Sequence, residues 1–142
     1  MTGTWQAWAI LSAVFAALTA IFAKVGVENV NPDFATFIRT IVILVALIAI
    51  LFSLGEFQPL SSISPRTYVF LALSGLATGA SWVCYFRALK IGNASQVAPI
   101  DKLSVLLVAV FGVAFLGEKL TGLNWLGVGL IAAGAALIAI KV

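Results

Sequence analysis

The chain has 142 residues, 63% of them hydrophobic and 9% charged, with eight basic and five acidic side chains. A water-soluble domain carries about 25% charged and about 45–50% apolar residues, so polar surface is too scarce here and lipid must surround most of the chain. Histidine is absent and Cys84 is the single cysteine, which excludes an internal disulfide framework and any histidine or multi-cysteine metal site.

No cofactor is implied, and the formal charge of +3 concerns membrane orientation rather than nucleic acid.

In chain order, Trp5–Val25 comes first. It lacks the basic start of a signal peptide and its apolar run is too long for one, so it reads as a retained first helix. Gly26 marks its stop. Asp33–Leu54 follows, led by Asn31-Pro32, a capping side chain before a proline whose missing N–H costs nothing in a first turn. Gly55 is placed to end it. Phe57–Pro65 is the one real loop. Pro65–Ile91 starts behind Ser64 and stops at Gly92. Ser95–Leu116 contains Pro99, and Thr121–Ile140 has Thr121 as its cap and Asn124 at the third helical position.

Each stretch approaches or exceeds the roughly 20 apolar residues needed to span a bilayer. The expectation is an all-α, polytopic bundle of five transmembrane helices, a single domain over residues 1–142. Short connections favour antiparallel neighbours. The cytoplasmic (inner) membrane of a prokaryote is the simplest location.

Five spans place the termini on opposite sides. Arg66, Lys119 and the terminal amine share the N-terminal side, while Lys24, Arg87, Lys90 and Lys141 share the other. The positive-inside rule favours a cytoplasmic C-terminus by a thin margin, which leaves insertion in both orientations open. Gly75 and Gly79 form a GxxxG motif on the third helix, and Gly122, Gly127, Gly129 and Gly134 recur on the fifth. Such residues let backbones approach closely, within the chain or between subunits.

Charges at membrane depth are costly, about 2.5–3.5 kcal/mol at a helix centre, so their positions are informative. At 1.5 Å per residue, Arg39 lies about 9 Å into the second helix and Lys102 about 10 Å into the fourth. Trp82, Tyr85 and Arg87 reach a similar level on the third, and Asp101 joins them. Arg39, Trp82, Tyr85, Asp101 and Lys102 are the candidate substrate-binding residues.

Asp101 and Lys102 point about 100° apart on an ideal helix, so they are not expected to pair; Arg39 is the expected partner of Asp101. Pro99 removes a backbone bond, bordering a cavity or making a structural kink. Lys24, Arg87 and Lys90, near helix ends, read as snorkelling cations. Trp5, Trp8 and Trp125 read as interfacial belt residues, and Cys84 as a small buried hydrophobe.

The segment from Arg87 to Thr121, RALKIGNASQVAPIDKLSVLLVAVFGVAFLGEKLT, and the following NWLGVGLIAAGAALI resemble the EamA-type repeat of the drug/metabolite transporter superfamily. Ala88-Leu89, Val97-Ala98-Pro99, Leu116-Gly117-Glu118 before Thr121, and the Gly-rich last helix carry the match. The resemblance implies a stand-alone five-helix repeat where larger members fuse two in inverted orientation around a central cavity. It implies a working dimer, most simply an antiparallel homodimer with dual topology, or a heterodimer with a second repeat. Glu118 falls on the family's Leu-Gly-Glu position, where folding or gating is the implied role.

The first helix has no acid between Trp5 and Ala23, unlike the small multidrug-resistance branch with its membrane-embedded glutamate. The expected function is therefore a secondary transporter exporting a small metabolite by alternating access, the excess of cations leaning towards an anionic group on the substrate. The alternative is a non-transporting subunit that completes or regulates a heteromeric transporter. With no histidine and few intramembrane carboxylates, an enzyme is not expected.

Overall fold

The computed structural model describes residues 4–140, of which no residue forms a strand. It contains α1 (Trp5–Gly26), α2 (Pro32–Leu54), a 3₁₀ turn (Leu60–Ser62), α3 (Pro65–Ile91), α4 (Ala94–Asp101), α5 (Ser104–Phe115) and α6 (Gly122–Ala139). Five segments are long and apolar enough to cross a membrane, α4 and α5 together making the fourth.

The expected start signals hold. The Asn31 carboxamide oxygen accepts from the backbone N–H groups of Asp33 (2.9 Å) and Phe34 (3.1 Å), with Pro32 opening α2. Ser64 Oγ accepts from the Thr67 amide at 3.2 Å ahead of α3, and the Tyr68 hydroxyl donates to the Leu60 carbonyl at 2.7 Å, fastening the 3₁₀ turn. Thr121 Oγ1 accepts from the Asn124 amide, and the two side chains bond each other.

The stop signals are more varied. α2 closes on Gly55 at φ 66°, with the Glu56 amide on the Leu51 carbonyl and the Gly55 amide reaching towards Phe52, a Schellman arrangement. Among the described glycines only Gly55 and Gly117 take positive φ, so Gly26 and Gly92 mark helix ends without a left-handed turn.

The fourth span departs from the continuous helix expected over Ser95–Leu116. Pro99 has no N–H to give, and the backbone tightens behind it. The Lys102 amide bonds the Pro99 carbonyl at 3.1 Å, Leu103 bonds Ile100 at 3.0 Å, Val105 bonds Lys102 at 3.0 Å and Leu106 bonds Leu103 at 3.1 Å. This run of i→i+3 bonds separates α4 from α5; such 3₁₀ stretches inside a helix often mark a hinge or strain.

The chain's contacts fall into two compact units: residues 22–91, and residues 4–21 with 92–140. In the first, α2 packs on α3; in the second, α6 packs on α4 and α5. Buried apolar side chains are few: Val27, Phe86 and Leu89 are the larger ones. Added methyl groups at Gly75, Gly79, Gly127, Gly129 and Gly134 would meet nothing within 4 Å, so these small residues are not places of close backbone approach within either unit.

Gly117, at φ 69° with open space around its Cα, serves the turn after α5 by conformation alone. Gly117→Ala is expected to lower stability by about 1–2 kcal/mol, the cost of a left-handed L-residue. Gly127→Ala, in right-handed helix, should not. Thermal unfolding in detergent checks this, and equal losses at both positions would remove the conformational reading.

Candidate functional site

In the unit of residues 22–91, α2 and α3 bring Arg39 and Trp82 together. The Arg39 guanidinium carbon lies 4.2 Å from the centroid of the Trp82 ring and 5.4 Å from that of Phe86. The 3.6-residue helical period explains this: Trp82 and Phe86 are one turn apart on one face of α3, and Arg39 of α2 reaches both. Phe86 is 3% exposed, which gives the stack a fixed floor. Tyr85 lies within electrostatic reach of Arg39. Three of the five candidate residues thus share one cluster.

Arg87, Lys90 and Lys24 of this unit, expected to snorkel, bond to protein groups instead. Arg87 grips Asp33 in a two-pronged ion pair, Nε to Oδ1 at 2.8 Å and Nη2 to Oδ2 at 2.7 Å. Lys90, near the end of α3, donates to the carbonyls of Val27 (2.8 Å), Glu28 (2.6 Å) and Val30 (3.2 Å) behind α1. Lys24, near the end of α1, donates to the Leu89 carbonyl of α3 at 2.7 Å.

Two helix ends therefore exchange lysines, each satisfying carbonyls of the other. Helix C-termini leave carbonyls without intrahelical partners, and in lipid these ammonium groups find that acceptor before they find water. The sequence signal was present, since both lysines sit in last turns where cations favour the helix dipole. Periodicity alone did not reveal that each would serve the other helix.

In the second unit, Asp101 and Lys102 sit where α4 gives way to α5. Contrary to the ideal-helix expectation, they pair: Lys102 Nζ is 3.2 Å from Asp101 Oδ2. The physical reason is the break itself, because α4 ends at Asp101 and the 100° spacing of a regular helix no longer applies across it. Asp101 finds its cation in its chain neighbour.

Also in this unit, Glu118 folds back on α5. Its amide donates to the Gly112 carbonyl at 3.1 Å, and a methyl built on buried Gly112 would come within 2.6 Å of Glu118 Oε2. The Leu116-Gly117-Glu118 element thus closes α5, with Gly117 supplying the left-handed turn and the Glu118 carboxylate lying over Gly112. Cys84 is exposed rather than buried, and Trp5 and Trp8 are exposed. Among the described residues no group of three or more cysteine, aspartate or glutamate side chains is placed to hold a metal ion.

Ionisable side chains on helices otherwise coated with apolar side chains are costly in lipid and mark functional positions in membrane proteins. Comparisons with known proteins agree. The chain is 64% identical over 140 residues to a Sinorhizobium sp protein described as an uncharacterized transporter in cobO 3'region, covering 99% of each. It is 25% identical over 142 residues to the Bacillus subtilis uncharacterized transporter YxxF, covering 99% of this chain and 44% of that protein. No solved structure matches. The model of the EamA-like transporter family matches residues 3–140, and this multi-pass membrane chain belongs to that family.

Proposed function

We propose that the chain is a secondary transporter that exports a small metabolite across a prokaryotic cytoplasmic membrane by alternating access, working as a dimer of five-helix units. The observation that carries this reading is the interrupted fourth span, with the Asp101–Lys102 pair at its break. A helix broken at membrane depth supplies both a pivot and polar groups for cargo, the usual construction of a transport site.

The dimer is supported by two further features. The open small-residue positions Gly75 and Gly79 on α3, and Gly127, Gly129 and Gly134 on α6, suit contacts with another chain. The Bacillus subtilis relative, of which this chain covers 44%, leaves room for a second unit of similar length. An antiparallel homodimer is the simplest assembly, because the basic residues near the helix ends are nearly balanced between the two sides.

Reporters fused to the C-terminus, one active only in the cytoplasm and one only outside it, test this arrangement. Activity from both is the expected result. A single orientation would overturn the antiparallel homodimer and redirect the search to a parallel pair or an inverted partner chain.

A further inference from the structure

Within the unit of residues 22–91, three of the cations on the transmembrane helices at the α1–α3 end spend their donors on protein. Arg87 is forked to Asp33, Lys90 reaches three carbonyls and Lys24 reaches the Leu89 carbonyl. Arg39 differs. It stands about 10 Å into α2, counting from Pro32 at 1.5 Å per residue, half-buried, and within its unit it donates no hydrogen bond among the described residues. One face of its guanidinium is taken by Trp82 at 4.2 Å. Stacking satisfies the face of the ion and leaves the N–H groups at its edge unspent. A guanidinium at this depth without an anion is costly, so its edge calls for an acceptor.

We infer that Arg39, stacked on Trp82, binds the carboxylate of a monovalent organic acid. Three points set this ligand class. The guanidinium edge matches a planar carboxylate in a two-pronged pair, the geometry Arg87 and Asp33 already adopt nearer the ends of the same two helices. One cation neutralises one negative charge, whereas a doubly charged phosphate would leave an uncompensated charge among apolar groups. Trp82 and buried Phe86 offer apolar surface for the body of the acid. The inference rests on the transport reading in taking this acid as cargo, but binding is measured at equilibrium, with no transport required.

The test uses the full chain in phosphatidylcholine nanodiscs, with Trp5, Trp8 and Trp125 replaced by phenylalanine so that Trp82 is the single indole. Hexanoate is expected to shift the Trp82 emission saturably, while hexylammonium and inorganic phosphate do not. R39K keeps the charge but loses the fork, and should weaken hexanoate about tenfold, roughly 1.4 kcal/mol; R39Q should abolish the response. A thermal melt of each variant separates lost binding from lost folding, and R39K, which retains the cation over the ring, keeps the test decisive if R39Q unfolds.

Equal responses to phosphate, or an unchanged response in a folded R39K, would overturn the carboxylate assignment. Anionic phosphatidylglycerol that reproduces the shift and blocks hexanoate would overturn it too, giving the site to a lipid headgroup. Hexanoate binding without vesicle uptake of any acid would leave this inference standing and remove the transport reading. Uptake of other solutes unaffected by R39Q, with no hexanoate binding, would do the reverse.

Discussion

Lys90→Met is expected to destabilise the protein by about 2 kcal/mol, and Lys24→Met to destabilise it as well. Lys90 donates to three carbonyls behind α1 at 2.8, 2.6 and 3.2 Å, and Lys24 donates to the Leu89 carbonyl at 2.7 Å. Hydrogen bonds to charged groups contribute about 1.5–3 kcal/mol each where they are shielded. Two of the three Lys90 bonds are exposed, which is why the expected loss falls well below their sum. The methionine keeps the apolar stem and removes only the ammonium, so packing is preserved and the carbonyls are orphaned.

Thermal or dodecyl-sulfate unfolding in mixed micelles would measure this, with Lys119→Met as a surface comparison. Were Lys90→Met as stable as the parent, the ammonium would merely be snorkelling, and the exchange of lysines between α1 and α3 would carry no weight in the fold.

The second large effect concerns the break between α4 and α5. Lys102→Met leaves Asp101 without its counter-ion at membrane depth, where an uncompensated charge costs about 2.5–3.5 kcal/mol. The pair is partly open, with side-chain exposures of 55% and 35%, so a loss of about 1–2 kcal/mol is expected instead. Asp101→Asn combined with Lys102→Met should recover most of that loss, because no bare charge remains, while transport stays lost. Unfolding and vesicle uptake measured on these two variants and the parent separate the two effects. A double variant as unstable as Lys102→Met would mean that the pair's geometry, and not charge balance, holds the break. A double variant that still transports would take Asp101 and Lys102 out of the transport mechanism.

These effects also divide what could be read from residues alone. Helix starts were legible because a cap is a local device: Asn31, Ser64 and Thr121 act on amides two or three residues away. Gly55 was legible for the same reason, since its left-handed turn bonds only Leu51 and Phe52. The meeting of Arg39 with Trp82 was foreseen only as a shared depth; the distance of 4.2 Å depends on how α2 and α3 pack. The Arg87–Asp33 fork joins residues 54 positions apart, and no spacing rule reaches across two helices and a loop. The Asp101–Lys102 pair was misread because an unbroken helix was assumed where Pro99 and a run of i→i+3 bonds end one.

By itself, then, the sequence determined the solvent, the number of spans and their approximate ends. Composition settles how much surface can face water, and capping acts within one turn. It also determined the family, through Leu116-Gly117-Glu118 and the glycine-rich last helix. Tertiary structure alone decided which cations are spent on the protein and which keep their donors. That choice depends on distances of about 3 Å between side chains and carbonyls on different helices, so Lys24 and Lys90 became clasps while Arg39, on the same bundle of helices, kept its donors.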